Sequence, residues 1–134
     1  MELEVVRLVN IERQRAGVAP LAVSPTLMMA ARFKAQSMTD MAYFAHENPV
    51  YGSFVNISRE LFAYPVVSMG ENIARWQQTP HAVVTSLMAS PGHRANILRP
   101  SFTEIGVGFF SLRWAQKFSN GDTAHIDAPR YAPW

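Results

Sequence analysis

Apolar residues recur at helical spacing through the first third of the chain. Between Glu2 and Ala16, Val5, Leu8 and Val9 share one face, Arg13 and Arg15 fall in the last turn, and Gly17 follows as a stop. Ser24-Pro25 then supplies an N-cap with proline at the first helical position, and Leu27, Ala31, Ala35 and Met38 carry one face on to about Met41. The pattern breaks from Ala45 to Met69, where Asn48-Pro49, Gly52 and Tyr64-Pro65 punctuate the chain around a short helix predicted near Asn56 to Phe62. Thr79-Pro80 repeats the cap-plus-proline start, ahead of an apolar face of Val83, Val84, Leu87 and Met88 that ends at Ser90-Pro91-Gly92.

The period then changes from helical to two. His93 falls on a short helical segment, Pro100 stops it, and Gly106-Val107-Gly108 opens a strand predicted over Ile105 to Phe110. A second strand is predicted from Leu112 to Phe118, where Leu112, Trp114, Gln116 and Phe118 alternate with Arg113, Ala115 and Lys117. The join is so short that the two strands form an antiparallel hairpin. Beyond Asn120-Gly121, Pro129 and Pro133 mark 122–134 as an irregular tail. Helices first and strands last, without βαβ alternation, predict an α+β domain with helices packed on a small antiparallel sheet. The 134 residues fit a single domain, 1–134.

Composition narrows the function classes. Hydrophobic residues make up 49% and charged residues 16%, so the chain has the means to bury a core. A formal charge of +2, with Lys and Arg scattered rather than clustered, argues against nucleic acid as a partner. There is no cysteine, which excludes disulfides, thiolate metal sites and a cysteine nucleophile. No apolar run approaches the roughly 20 residues of a membrane span, and Met1-Glu2-Leu3 lacks the start of a signal peptide. Neither dinucleotide, Walker nor nucleophile-elbow motifs occur. His46-Glu47 opens like a zinc-protease helix, but Val50 stands where its second histidine belongs.

The candidate chemistry lies in His46, Glu71 and His93. The two histidines sit at ends of helical segments, and Glu71 stands between Gly70 and Asn72. Two imidazoles and a carboxylate suit a divalent ion such as zinc, and equally suit acid–base work near neutral pH. Each residue also has a plain structural reading. A helix-end histidine commonly caps or faces solvent, and a carboxylate such as Glu71 commonly receives backbone N–H groups. Asn72 reads as a structural hydrogen-bonding residue, and Arg94 as a surface charge. Phe109, Phe110, Trp114 and Phe118 read as sheet core, and His81 and His125 as surface residues.

Gly70-Glu71-Asn72-Ile73-Ala74 and Gly92-His93-Arg94 together resemble the signature of the CAP superfamily, the SCP-like proteins. Leu8-Val9-Asn10 with Glu12-Arg13, the Met38, Phe44 and His46 region, and Trp114-Ala115-Gln116-Lys117-Phe118 extend the resemblance over nearly the whole chain. It is closest in type to the bacterial, cysteine-free members. The resemblance implies a three-layer α-β-α sandwich with a central antiparallel sheet and a wide cleft. It also implies that His46, Glu71 and His93 line that cleft, with His46 and His93 as metal ligands and Glu71 as a possible third. The family's second cleft glutamate has no counterpart here. Ser90 stands near its place, and Glu104 on the following strand is the candidate substitute. A secreted or cell-surface location is implied, with a cell-surface, lipid or protein ligand as partner. The expectation is therefore an extracellular binding module with a His/Glu cleft for a divalent metal or polar ligand. The alternatives are a metal-assisted hydrolase of peptide, ester or cell-wall bonds, and a lipid- or sterol-binding protein with a groove near Phe54, Phe62 and Tyr64.

Overall fold

The structure is a computed structural model that describes residues 1–53 and 68–121. The predicted helix at Asn56 to Phe62, the groove of Phe54, Phe62 and Tyr64, His125 and the 122–134 tail lie outside the described residues. The elements run α1 (Glu2–Arg15), β1 (Ala22–Val23), α2 (Pro25–Asp40), β2 (Met69–Arg75), α3 (Pro80–Met88), α4 (Pro91–Ile97), β3 (Glu104–Phe110) and β4 (Arg113–Ser119). Pro25, Pro80 and Pro91 each sit at the start of their helix, where a missing N–H leaves no bond unmade. Ser24 Oγ accepts from Leu27 N at 3.2 Å and Thr79 Oγ1 from Ala82 N at 3.1 Å, so both predicted caps form.

The four strands lie in the order β1-β3-β4-β2. The three long strands are antiparallel, and the two-residue β1 adds a parallel edge beside Glu104 and Ile105. Neither β1 nor β2 is apparent from periodicity, because β1 is too short for one and Gly70-Glu71-Asn72 interrupts the apolar pattern of β2. The β3–β4 turn is Ser111-Leu112, both left-handed at φ 49° and 59°, as a two-residue turn between right-twisted strands requires. Leu112 therefore belongs to the turn, and β4 begins one residue later than the alternation predicts.

Both faces of the sheet are covered, which gives three layers. On one face Ile105, Val107, Trp114 and Phe118 pack with Val5, Val6 and Val9 of α1, Val83, Val84 and Leu87 of α3, and Ile97 of α4. Phe110, read from sequence as core, is instead 40% exposed at the end of β3. Among the described residues the other face is covered mainly by α2, with Ala31 and Met38 against Ile73 and Ala115. Here α2 lies directly on the strand backbone. A Cβ added to Gly106 would stand 2.1 Å from the Leu27 carbonyl carbon, and one added to Gly108 would stand 2.2 Å from that of Ala31. The Gly-x-Gly spacing puts both glycines on this face, so the motif is a docking seat for a helix.

Arg13 shows how the second layer is locked. The sequence reads it as a charge in the last turn of α1, but its side chain is fully buried. Its guanidinium donates to the carbonyls of Ala19 (2.7 Å), Ile97 (2.8 Å), Arg99 (3.0 Å) and Phe102 (3.2 Å). Burial pushes its pKa down from the ordinary arginine value. These bonds satisfy carbonyls at the end of α4 and fasten the segment that carries His93.

Gly108→Ala is expected to lower the unfolding free energy by about 3 kcal/mol, because the clash is with helix backbone and cannot be relieved by a rotamer change. Urea denaturation followed by circular dichroism measures this; a loss below about 1 kcal/mol would contradict the close seating of α2.

Candidate functional site

The site begins with an ion pair inside the sheet. Glu71 on β2 and Lys117 on β4 are directly opposite in the antiparallel register. Their alternating positions match those of Ile73 and Ala115, so they lie on the α2 face, and both side chains are wholly shielded from solvent. Lys117 Nζ donates to Glu71 Oε2. Alternation in β4 was legible, but two-sided burial turns Lys117 into an interior cation that needs a partner.

The other carboxylate oxygen of Glu71 faces His46. Glu71 Oε1 and His46 Nδ1 are 2.8 Å apart, and the ring is 53% exposed. His46 follows α2 on a return segment that Lys34 holds in place. Buried Lys34 donates through Nζ to the carbonyls of Ala45 (2.6 Å) and His46 (2.8 Å) and to the Tyr43 hydroxyl (3.3 Å). All three ammonium donors are thereby used. Tyr43 is fixed in turn by Ser37 Oγ at 2.8 Å and Asn48 Nδ2 at 3.1 Å.

His93 reaches the same cleft from α4. Its Nδ1 lies 2.9 Å from Ser90 Oγ, so Ser90 holds the ring and makes no side-chain cap to α4. Asn72 docks this helix on the sheet: its Nδ2 donates to the His93 carbonyl (3.1 Å) and to Gln116 Oε1 (3.0 Å), and its Oδ1 accepts from Asn96 Nδ2 at 2.9 Å. The structural reading of Asn72 thus holds. Phe44, His46, Ile73, Arg75, Ser90 and His93 are among the residues that line a cleft of about 510 Å³.

The electrostatics follow from this packing. Burial raises the Glu71 carboxyl, but the Lys117 charge, the His46 hydrogen bond and Lys34 outweigh it, leaving the pKa below its ordinary value. Burial pulls the Lys117 ammonium down against the opposing pull of Glu71. His93 is pushed below its ordinary pKa by burial and, second, by the His46 charge, so its neutral ring is favoured.

The sequence-predicted residues do not all meet. His46 and His93 line one cleft, and Glu71 stands behind His46 with both oxygens engaged and no exposed surface. Glu104 is buried at the start of β3, beside Ala22 and Ser119, and is not among the residues lining the cleft. Arg94 and His81 are exposed, as read. Among the described residues, no group of three or more His, Cys, Asp or Glu gathers closely enough to hold a metal ion. The side chains that could hold a metal in this cleft are therefore the imidazoles of His46 and His93. Such a pair suits an exchangeable ion completed by water rather than a closed four-ligand site. The residues missed in the sequence are Lys34 and Lys117. Their one signal is a lysine set within a run of core positions, as Lys117 is between Gln116 and Phe118.

Comparison with known proteins agrees with this architecture. A profile of the cysteine-rich secretory protein family, CAP, matches residues 6–118. The uncharacterised protein YkwD of Bacillus subtilis is 46% identical over 119 residues, covering 87% of this chain and 46% of YkwD. The uncharacterised membrane protein YlbC of B. subtilis is 29% identical over 117 residues, and the match covers 34% of its length. The chain thus spans less than half the length of these relatives. Among solved structures, an extracellular SCP-domain protein of Bacillus anthracis matches with a TM-score of 0.85 and 29% identity, over 88% of this chain and 39% of that one. An outer surface protein of Borrelia burgdorferi shares the fold at a TM-score of 0.73 and 15% identity, over 87% of this chain and 90% of that one.

Lys117→Met is expected to destabilise the fold by about 3–5 kcal/mol by taking the buried cation away from Glu71, and Lys117→Met with Glu71→Leu to recover most of that loss. Denaturant melts of the single and double variants test this. A double variant no more stable than the single would refute the pairing. For His93, the unfolded chain takes up a proton first, near pH 6.5, because the folded pKa is lower. Its contribution is complete above pH 6.5 and is lost as pH falls toward the folded value. Melting temperatures from pH 7.5 to 5 are therefore expected to fall less steeply in His93→Gln than in the parent chain.

Proposed function

The chain belongs to the cysteine-rich secretory protein (CAP) family, and on that premise we propose that the domain is an extracellular binding module. Its cleft between His46 and His93 takes a polar ligand or a divalent metal such as zinc. The observation that carries this reading is the fixed imidazole pair: His46 is held on Glu71 at 2.8 Å and His93 on Ser90 at 2.9 Å, on one cleft. A carboxylate behind one ring and a hydroxyl behind the other fix the direction in which each imidazole meets the cleft. A metal ion held there would add a positive charge able to attract an oxygen of the ligand. Glu71 acts in this scheme as the group that positions His46.

Binding is favoured over hydrolysis by what lines the cleft. A metal-assisted hydrolase needs a carboxylate or equivalent base beside the attacking water. Glu71 is buried and paired, Ser90 engages His93, and Glu104 is elsewhere, so no carboxylate stands among the described residues of the cleft. The extracellular SCP-domain protein of B. anthracis and the outer surface protein of B. burgdorferi support a secreted or surface location. No described helix is long and apolar enough to cross a membrane.

Zinc added to the purified protein is expected to give saturable heat by titration calorimetry and a raised melting temperature. Both effects should weaken as pH falls, because a protonated imidazole cannot bind metal. His46→Ala with His93→Ala should abolish them. Zinc binding unchanged in that double variant would overturn the assignment.

A further inference from the structure

The rim of the cleft carries two arginines whose arrangement the fold does not explain. Arg75, the last residue of β2, and Arg113, the first of β4, are directly opposite in the antiparallel register. Like charges directly opposite one another are destabilising, whereas opposite charges there attract. Among the described residues neither forms an ion pair with a carboxylate. Their guanidiniums rest on aromatic rings instead. Arg75 Cζ lies 4.4 Å from the centre of the Phe44 ring and 5.4 Å from that of Trp76, and Arg113 Cζ lies 5.2 Å from the Trp76 ring.

Stacking of this kind orients a guanidinium while leaving its in-plane N–H donors available. Arg113 uses one of them on the Ser111 carbonyl at 2.9 Å. Trp76 itself is held in an unusual way. Its φ is +85°, a region bulky residues avoid, yet the residue is 60% exposed and its backbone N–H donates to Leu112 O at 2.8 Å, continuing the ladder. A strained backbone that displays a tryptophan to solvent, between two arginines that form no ion pair among the described residues, is the pattern expected of a binding surface. Arg75 and Phe44 line the same cleft as His46 and His93, so the rim and the cleft are continuous.

We propose that Arg75 and Arg113, preorganised on Phe44 and Trp76, bind the phosphate group of a soluble phosphate ester whose remainder enters the cleft. Two guanidiniums supply two positive charges and more donors than one carboxylate can accept, whereas a phosphate monoester carries nearly two negative charges at neutral pH and three acceptor oxygens. With rings already beneath the guanidiniums, the outward offer is a set of N–H donors rather than a bare aromatic face for stacking. The proposal names the ligand class for the cleft described above and rests on that reading for the rest of the ligand.

The test is a nuclear magnetic resonance titration of the whole chain with glycerol 3-phosphate, following the Trp76 indole and the arginine Nε–H signals, with acetate at matched ionic strength as control. Saturable shifts of Trp76, Arg75 and Arg113 are expected, with acetate at least tenfold weaker. Arg75→Gln with Arg113→Gln should weaken binding at least tenfold. Arg113→Glu should abolish binding while keeping or raising the melting temperature, since it turns the repelling pair into an attracting one. Inorganic phosphate, which has no remainder to enter the cleft, should shift the same arginine signals, while zinc calorimetry reads the imidazole pair, so failure of the metal-binding cleft and failure of the arginine site are read separately. Four results would each overturn the proposal: no saturation, acetate binding equal to phosphate, full binding in either arginine variant, or binding to phosphatidylglycerol vesicles without binding to the soluble ester.

Discussion

A carboxylate buried between a lysine and a histidine organises this domain. Glu71 is inside the sandwich, where an unpaired charge would be prohibitively unstable, and Lys117 directly across the sheet neutralises it. That pairing leaves one oxygen to point at His46, so the ion pair that tolerates burial also sets the direction of an exposed ring. Lys34 completes the arrangement by tying down the carbonyls of Ala45 and His46. The result is a chain of contacts from the protein interior to the cleft surface, each link fixed by a hydrogen bond to a charged group.

The same economy appears on the opposite side of the cleft. Ser90 occupies the position before Pro91 where a hydroxyl would ordinarily cap the helix, and holds His93 instead. The helix α4 is short and could not stand alone. It is held from the sheet side by Asn72, which bonds the His93 carbonyl and the Asn96 side chain, and by Arg13 around its C-terminal carbonyls. Polar side chains that look like surface chemistry in the sequence are therefore the internal fasteners of the site.

Seen together, the imidazoles at the cleft and the arginines at its rim make a polar, electropositive hollow bordered by exposed aromatic rings. Neutral histidine, favoured at His93 by burial, suits hydrogen bonding or metal ligation, while the stacked guanidiniums suit an oxyanion. These properties support the proposed binding role. They also agree with the absence of any positioned carboxylate among the described lining residues.

The sequence by itself determined the helices and the hairpin. The cap-plus-proline starts at Ser24 and Thr79 and the periodic faces behind them need only local chemistry, and each forms as read. The motifs around Glu71 and His93 were equally legible and led to the three-layer fold. Tertiary structure alone decided which side chains face inward. Alternation in β4 separates two faces but does not say that helices cover both, so the setting of Lys117 among core positions acquired its meaning only once α2 was seated on Gly106 and Gly108. Arg13 likewise turned inward because distant carbonyls at Ile97, Arg99 and Phe102 needed a donor. Glu104 failed to reach the cleft because register, not proximity in the chain, places a strand residue. Burial and pairing depend on partners far apart along the chain, and only the folded arrangement supplies them.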